Sequence, residues 1–240
     1  MDRVSWTHVV LDGSLSDAAA TFWAEALDGS WRAASPDPSL AASLVRRGGD
    51  TYLHRAAPGT VAPDLVLEVD DVVASTQRLL ALGATGPTAD SGELRSPGGL
   101  SFGLTQAHEH RRAPAARRAD GTSSRLVQVC LDCPPERAGA EAEFWRAATG
   151  WAREDCLSPE FLCHLVPDAG PVQLLVQRRE SALPAEVTPH LDLGTSDHEA
   201  EAARLLALGA TRVATGRGWV VLADPDGRTF CATGLSPEVP

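Results

Sequence analysis

Apolar and polar positions in the second half of the chain alternate between two rhythms. The run "RLVQVCLD" (125–132) alternates residue by residue, which predicts a strand. The following "ERAGAEAEFWRAATG" (136–150) predicts a helix that Gly150 stops. Two short strand-like runs come next, "FLCHLV" (161–166) and "VQLLVQR" (172–178). A further strand, "HLDLGT" (190–195), leads into a second helix. Asp197 is its expected N-cap, Ala202, Leu205 and Leu206 its buried stripe, and Gly209 its stop. Finally "RGWVVLAD" (217–224) and "TFCAT" (229–233) flank the turn "DPDG". The order is strand, helix, strands, twice over.

The first half repeats the pattern. The octapeptide "RLLALGAT" occurs at 78–85 and again at 204–211. Around it, 63–85 aligns with 189–211 without a gap, and 13 of 23 positions are identical. "TFWAEALDGSW" (21–31) matches "EFWRAATGW" (143–151), "WTHVVLD" (6–12) matches "LVQVCLD" (126–132), and "SPGGLSFGLT" (96–105) matches "DPDGRTFCAT" (224–233). The chain is a tandem duplication with copies at 1–106 and 124–236. The Arg- and Ala-rich stretch 107–123 is expected to be an exposed, flexible linker. Four βαβββ modules and an α+β fold follow. The duplication predicts that the copies pack on each other as a pseudo-dimer within one chain, and leaves open a homodimer as the alternative.

Composition narrows the chemistry. A net charge of −11 argues against a nucleic-acid partner, which calls for a basic face. All 21 basic residues are arginine, so lysine Schiff-base chemistry is excluded. No run approaches a membrane span of about 18 apolar residues. No apolar signal segment stands at the N-terminus, and the cysteine count is odd at five, so a cytoplasmic protein with reduced thiols is expected.

The combination "FW…TGW", "HLDL…D…AE..RL..LGAT" and "W.VLADPDGRTFC" resembles the vicinal-oxygen-chelate (VOC) superfamily, the group of glyoxalase I, bleomycin-resistance proteins and extradiol dioxygenases. It looks most like the glyoxalase-like branch. The second copy resembles it along its length, the first mainly through the repeat. The resemblance implies paired βαβββ modules forming curved sheets around clefts, and implies no reaction by itself. Metal-dependent members place ligands on the first, fourth, fifth and eighth strands, usually His or Gln, Glu, His and Glu. In the second copy these positions fall on Gln128, on Gln173 or Gln177, on His190 and on Cys231. The carboxylates are missing, and divalent ions want anionic oxygen or several imidazoles. No metal cofactor is therefore expected for the protein. In the first copy they fall on His8, His54, Asp64 and Gly103. His8, His54 and Asp64 are the candidate ligands should a divalent ion bind, and a direct His8–Asp64 pair is the alternative.

His190 and Asp192 are two apart on one strand and project to one face. They are the candidate acid–base or polar ligand contacts. Gln128, Cys231, Trp219, Gln177, Trp6 and His8 are the further candidate ligand-binding residues. Trp219 and Trp6 would offer flat apolar walls. Cys231 beside His190 raises the possibility of a thiol nucleophile, against a plain cleft-lining role. Cys130 and Cys133, in "CLDC", read as structural, and Trp23 and Trp145 as core. Two functions from different classes stay open: a metal-free binder of a small organic molecule, in the manner of the drug-sequestering members, and a lyase, isomerase or dioxygenase using an atypical metal site or His190/Asp192 acid–base chemistry. A purely structural role for one copy is the third.

Overall fold

The computed structural model describes residues 3–13, 15–33, 39–60, 62–86, 92–182 and 184–238. The first copy contributes β1 (Trp6–Leu11), α1 (Asp17–Ala26), β2 (Gly29–Ala33), β3 (Leu40–Arg46), β4 (Leu53–Ala56), β5 (Leu65–Val69), α2 (Val72–Ala81), β6 (Leu94–Arg95) and β7 (Ser101–Gln106). A two-residue strand β8 (Ala116–Arg117) precedes the second copy. That copy contains β9 (Ser123–Cys133), α3 (Ala138–Thr149), β10 (Ala152–Asp155), β11 (Phe161–Val166), β12 (Gln173–Arg178), β13 (Thr188–Thr195), α4 (His198–Ala207), β14 (Thr211–Thr215), β15 (Trp219–Ala223) and β16 (Thr229–Thr233).

Each copy forms its own mixed sheet, in the order β2-β3-β4-β1-β5-β7-β6 and β10-β11-β12-β9-β13-β16-β15-β14. The central four strands have the same pairing in both. β1 runs parallel to β4 and antiparallel to β5, which runs parallel to β7. β9, β12, β13 and β16 repeat this. Three modules carry three strands after their helix. Among the described residues the second carries only β6 and β7, and a single bridge, Thr85–Arg95, precedes them.

The helix ends follow from local chemistry. Ser16, Asp71 and Asp197 accept backbone N–H groups of the first turns of α1, α2 and α4. Gly150 ends α3 in the left-handed region at φ +70°.

The repeated octapeptide works at the boundary between the copies. Its Arg78 donates to the carbonyls of Ala147 (2.8 Å) and Ala148 (3.0 Å), in the last turn of α3. Arg204 donates to Ala26 O (2.9 Å) and Glu25 O (3.4 Å), at the end of α1. Each arginine thus satisfies orphan carbonyls, and the negative dipole end, of a helix in the opposite copy. The next residue, Leu79 or Leu205, is buried in the core. The glycine then takes positive φ, so that Ala84 and Ala210 N–H return to the Leu79 and Leu205 carbonyls.

Aromatic packing repeats the exchange. Trp23 of α1 stands edge-on to Phe230 of β16 at 5.1 Å, and Trp145 of α3 edge-on to Phe102 of β7 at 5.2 Å. Both tryptophans are fully buried. Their indole N–H groups donate to Asp224 across the boundary (2.9 Å) and to Glu141 within α3 (2.8 Å). Glu141 also accepts Gly98 N–H from the first copy. The copies therefore share one core, as an intramolecular pseudo-dimer.

The connecting segment departs from the expectation of an exposed linker. Asp50 and Arg111 exchange backbone and side-chain hydrogen bonds (Asp50 N–H to Arg111 O, 2.7 Å; Arg111 N–H to Asp50 Oδ2, 2.5 Å). Ala113, Ala115 and Ala116 are buried, and β8 pairs with β9. Small residues let this strand-like segment lie close. A Cβ on Gly49 would sit 2.0 Å from Ala113 N. Docking through backbone groups leaves no apolar period in the sequence. No helix among the described residues is long and apolar enough to cross a membrane.

The two arginines are expected to differ in cost. Arg204 also donates from Nη2 and Nε to the two oxygens of buried Glu201 (2.8 and 3.0 Å), whereas the residue at that position beside Arg78 is Ser75. Arg204→Ala should lower the unfolding free energy by about 2–3 kcal/mol and Arg78→Ala by about 1–2 kcal/mol, because only the former takes the nearer of two arginine partners from a buried carboxylate. Urea unfolding of the two variants checks the order.

Candidate functional site

The concave face of the second sheet holds a cavity of about 330 Å³. Gln128, Cys130 and Asp132 alternate along β9 and so share a face. On β13, His190 and Asp192 stand directly opposite Cys130 and Gln128. Cys231 on β16 is paired with Asp192. An amide ladder crosses the floor: Gln173 Nε2 donates to Gln128 Oε1 (2.6 Å), and Gln128 Nε2 donates to Asp192 Oδ2 (2.5 Å).

His190 is the hub. Its Nδ1 meets Asp132 Oδ2 at 2.6 Å. Its Nε2 lies 3.4 Å from Asp192 Oδ1 and 3.7 Å from Cys231 Sγ. Burial works against the charged imidazole, but its neighbours outweigh burial and hold its pKa well above the ordinary value. Cys130 is buried and its thiol is pushed far up, so it stays protonated, and the upward shift of His190 rests on Asp192 and Asp132. Burial also raises the Cys231 thiol, against a lowering contact from His190. Cys231 is thus a neutral thiol beside an imidazolium. Asp192 Oδ1 is buried, and among the described residues its contact with His190 Nε2 is an ion pair at 3.4 Å without hydrogen-bond geometry.

The walls are apolar. Trp219 stands edge-on to Phe161 at 5.5 Å, and Leu175 lies beside them. Gln177 lines the same space and accepts the Cys130 S–H (3.2 Å). The structure therefore gathers Gln128, Gln177, His190, Asp192, Trp219 and Cys231 around one cavity. It adds Asp132, Phe161 and His164, which sequence reading missed. Asp132 had a legible signal, since it continues the face of Gln128 and Cys130.

The first copy holds a larger cavity, about 610 Å³, lined by His8 and His54. His54 Nε2 and His8 Nδ1 lie 2.9 Å apart, and Ser43 Oγ meets His54 Nδ1 at 2.9 Å. Asp64 lies apart from them, bonded to Ser101 Oγ at 2.7 Å. It does not pair with His8. Glu68 takes that place, 2.8 Å from His8 Nε2. Burial alone would raise the Glu68 pKa, but hydrogen bonds from His8, the His108 backbone and His110 bring it to about 2. Trp6 is buried and stacks on His110 at 4.4 Å instead of lining the cavity. His110 comes from the connecting segment, and no pattern in the sequence marked it.

The glyoxalase-like domain family matches residues 8–105 and 128–233, so the chain belongs to that family and carries its domain twice. The fold is that of the VOC superfamily. It is similar to a Mn(II)-bound glyoxalase from Novosphingobium aromaticivorans, at 19% identity and TM-score 0.65, over 99% of this chain and 83% of that one. It is also similar to a variant of 4-hydroxymandelate synthase from Streptomyces coelicolor (17%, TM-score 0.59, 98% and 94%). An extradiol ring-cleaving dioxygenase from B. fuscum is a third (13%, TM-score 0.58, 99% and 74%). No curated protein sequence matches the chain.

The positions at which metal-dependent relatives hold an ion do not fit one here. In the second cleft Gln128 and Gln173 are spent on each other and on Asp192, and His190 is the single imidazole at those positions. In the first, Asp64 turns to Ser101 and Gly103 has no side chain.

The raised pKa of His190 has a consequence for stability. A group whose folded pKa exceeds its unfolded value stabilises fully below the unfolded value, near 6.5 for histidine, and loses that contribution as pH rises through the folded value. Unfolding free energy should therefore fall above pH ~6.5 in the wild type, and His190→Gln should flatten that segment of the profile.

Proposed function

We propose that the second cleft binds a small, partly apolar organic molecule, without a divalent ion at the family's ligand positions. The observation that carries this is the buried Asp192 Oδ1, held only by a long 3.4 Å ion pair with His190, at the floor of an apolar-walled cavity. A buried acceptor held at that distance is under-satisfied, and a ligand hydroxyl or N–H completes its hydrogen bonding. Asp132, His190 and Asp192 together carry one net negative charge when His190 is protonated. That balance favours a neutral or cationic ligand with a donor group and disfavours a carboxylate. Trp219 and Phe161 offer a surface for a flat apolar portion.

A second reading rests on the same hub. Asp132 orients His190 at Nδ1, so its Nε2–H is presented to the cavity as a proton donor, with Asp192 as the neighbouring acceptor. This pairing suits general acid–base chemistry on a bound molecule. No lysine or metal is required for it.

Screening neutral and cationic aromatic amines and phenols by thermal shift, followed by calorimetry, tests the binding. With any hit, His190→Ala and Asp192→Asn should each weaken affinity at least about ten-fold, about 1.4 kcal/mol. Trp219→Ala should weaken it as well, and His8→Ala should leave it unchanged. Hits confined to carboxylates, or affinity insensitive to both His190→Ala and Asp192→Asn, would sink the reading.

A further inference from the structure

Outside the family's ligand positions, three side chains of the first copy converge. Glu68 Oε1 lies 2.8 Å from His8 Nε2 and 2.8 Å from His110 Nε2. The three candidate ligand atoms all lie within 4.8 Å of one another. We propose that His8, Glu68 and His110 bind a divalent first-row transition-metal ion whose open side faces the first cavity. His8 alone stands at a family position. Glu68 is four residues beyond the fifth-strand position held by Asp64, and His110 belongs to the connecting segment, outside the repeat.

Hydrogen-bond accounting favours a cation there. His110 lies between two carboxylates, with Nδ1 3.3 Å from Asp50 Oδ2 and Nε2 2.8 Å from Glu68 Oε1. A neutral imidazole has one N–H and one lone pair, so one nitrogen aims its lone pair at a carboxylate oxygen unless a second proton or a metal ion takes that place. An ion at Nε2 removes that conflict and leaves Nδ1–H for Asp50, the usual arrangement around a metal-bound histidine. His8 is served in the same way. With Nε2 on the ion, its Nδ1–H donates to His54 Nε2 (2.9 Å), and His54 Nδ1–H donates to Ser43 Oγ (2.9 Å).

The three groups are also held in place. Trp6 stacks on the His110 ring, at 4.4 Å and 18° between planes. The second oxygen of Glu68 accepts His108 N–H at 3.0 Å. Two imidazoles and one carboxylate suit zinc, iron(II) or manganese(II), with further coordination positions left for water or a ligand. Those positions face a cavity whose other walls include Val10, Leu40 and Leu104. A second group, Cys130, His190 and Asp192, is equally compact. There the Cys130 S–H is already donated to Gln177, and the group holds a single imidazole, whose Nδ1 is taken by Asp132.

Cobalt(II) titration of the metal-stripped full chain tests this. The expected result is one ion per chain, visible d–d bands and no thiolate-to-cobalt charge-transfer band. Glu68→Gln and His110→Ala should each weaken binding more than about ten-fold, Asp50→Asn by about ten-fold, and His190→Ala not at all. Glu68→Gln keeps one carbonyl acceptor for the imidazoles but loses the acceptor of His108 N–H, so its fold is checked by near-ultraviolet circular dichroism. Should His110→Ala misfold by near-ultraviolet circular dichroism, X-ray absorption of the cobalt-loaded wild type decides. Two imidazoles and no sulfur in the coordination shell support the site. Absence of binding, a thiolate band, fewer than two imidazoles, or binding indifferent to Glu68→Gln overturns it. The second-cleft reading is judged separately by His190→Ala and Asp192→Asn, so either can fail without the other.

Discussion

The structure depends on side chains that the helices of each copy exchange with the other copy. Each sheet has a convex apolar face that its own two helices do not fully supply with partners. Trp23 on α1 completes the core over β16, and Trp145 on α3 completes it over β7. Arg78 and Arg204 then fasten the carbonyl ends of those same helices from the opposite side. The repeated octapeptide is therefore an interface element as much as a helix end. Its leucine fills a core, its glycine turns the chain, and its arginine reaches across the boundary. Both copies keep it because the boundary has pseudo-twofold symmetry, so each position is used once in each direction.

With the convex faces occupied, the concave faces are left to carry chemistry, and the copies have used them differently. The central strand pair is equivalent in both, β1 with β5 and β9 with β13. In the second copy the charged cluster sits at one end of that pair, where His190 opposes Cys130 and Thr188 opposes Asp132. In the first it sits at the other end, where Glu68 opposes Trp6. The repeat places Gly194 where the first copy has Glu68. A Cβ on Gly194 would meet Val127 at 2.7 Å and the carbonyls of Leu235 and Ser236 at 3.1 Å. The segment after β16 fills that end in the second copy, whereas the segment after β7 brings His108 and His110 to it in the first.

Much of the second cleft was legible from the chain because strand parity is a rigid rule. Gln128, His190, Asp192 and Cys231 face one cavity since residues two apart on a strand share a face. The same rule extends to Asp132. Parity failed for Trp6, which shares the face of His8 but is covered by the ring of His110. It could not separate Asp64 from Glu68, because both lie on the same strand face as Val66. Which of the two meets His8 depends on the antiparallel register and on Ser101, which engages Asp64.

The sequence by itself determined the duplication, the modules and the helix ends of the second copy, which rest on local rules: apolar period, a capping oxygen, a stopping glycine, and a repeat compared with itself. The family came from the resemblance of its motifs. Tertiary structure decided what each cleft contains. The His8–Glu68–His110 cluster joins residues 60 and 42 positions apart along the chain. One of them comes from a segment whose Arg- and Ala-rich composition reads as solvent-exposed. That segment docks through backbone N–H and carbonyl groups taken up by Asp50 and Glu68, and backbone groups are common to every residue type. No side-chain pattern records such a contact, so only the folded chain reveals it.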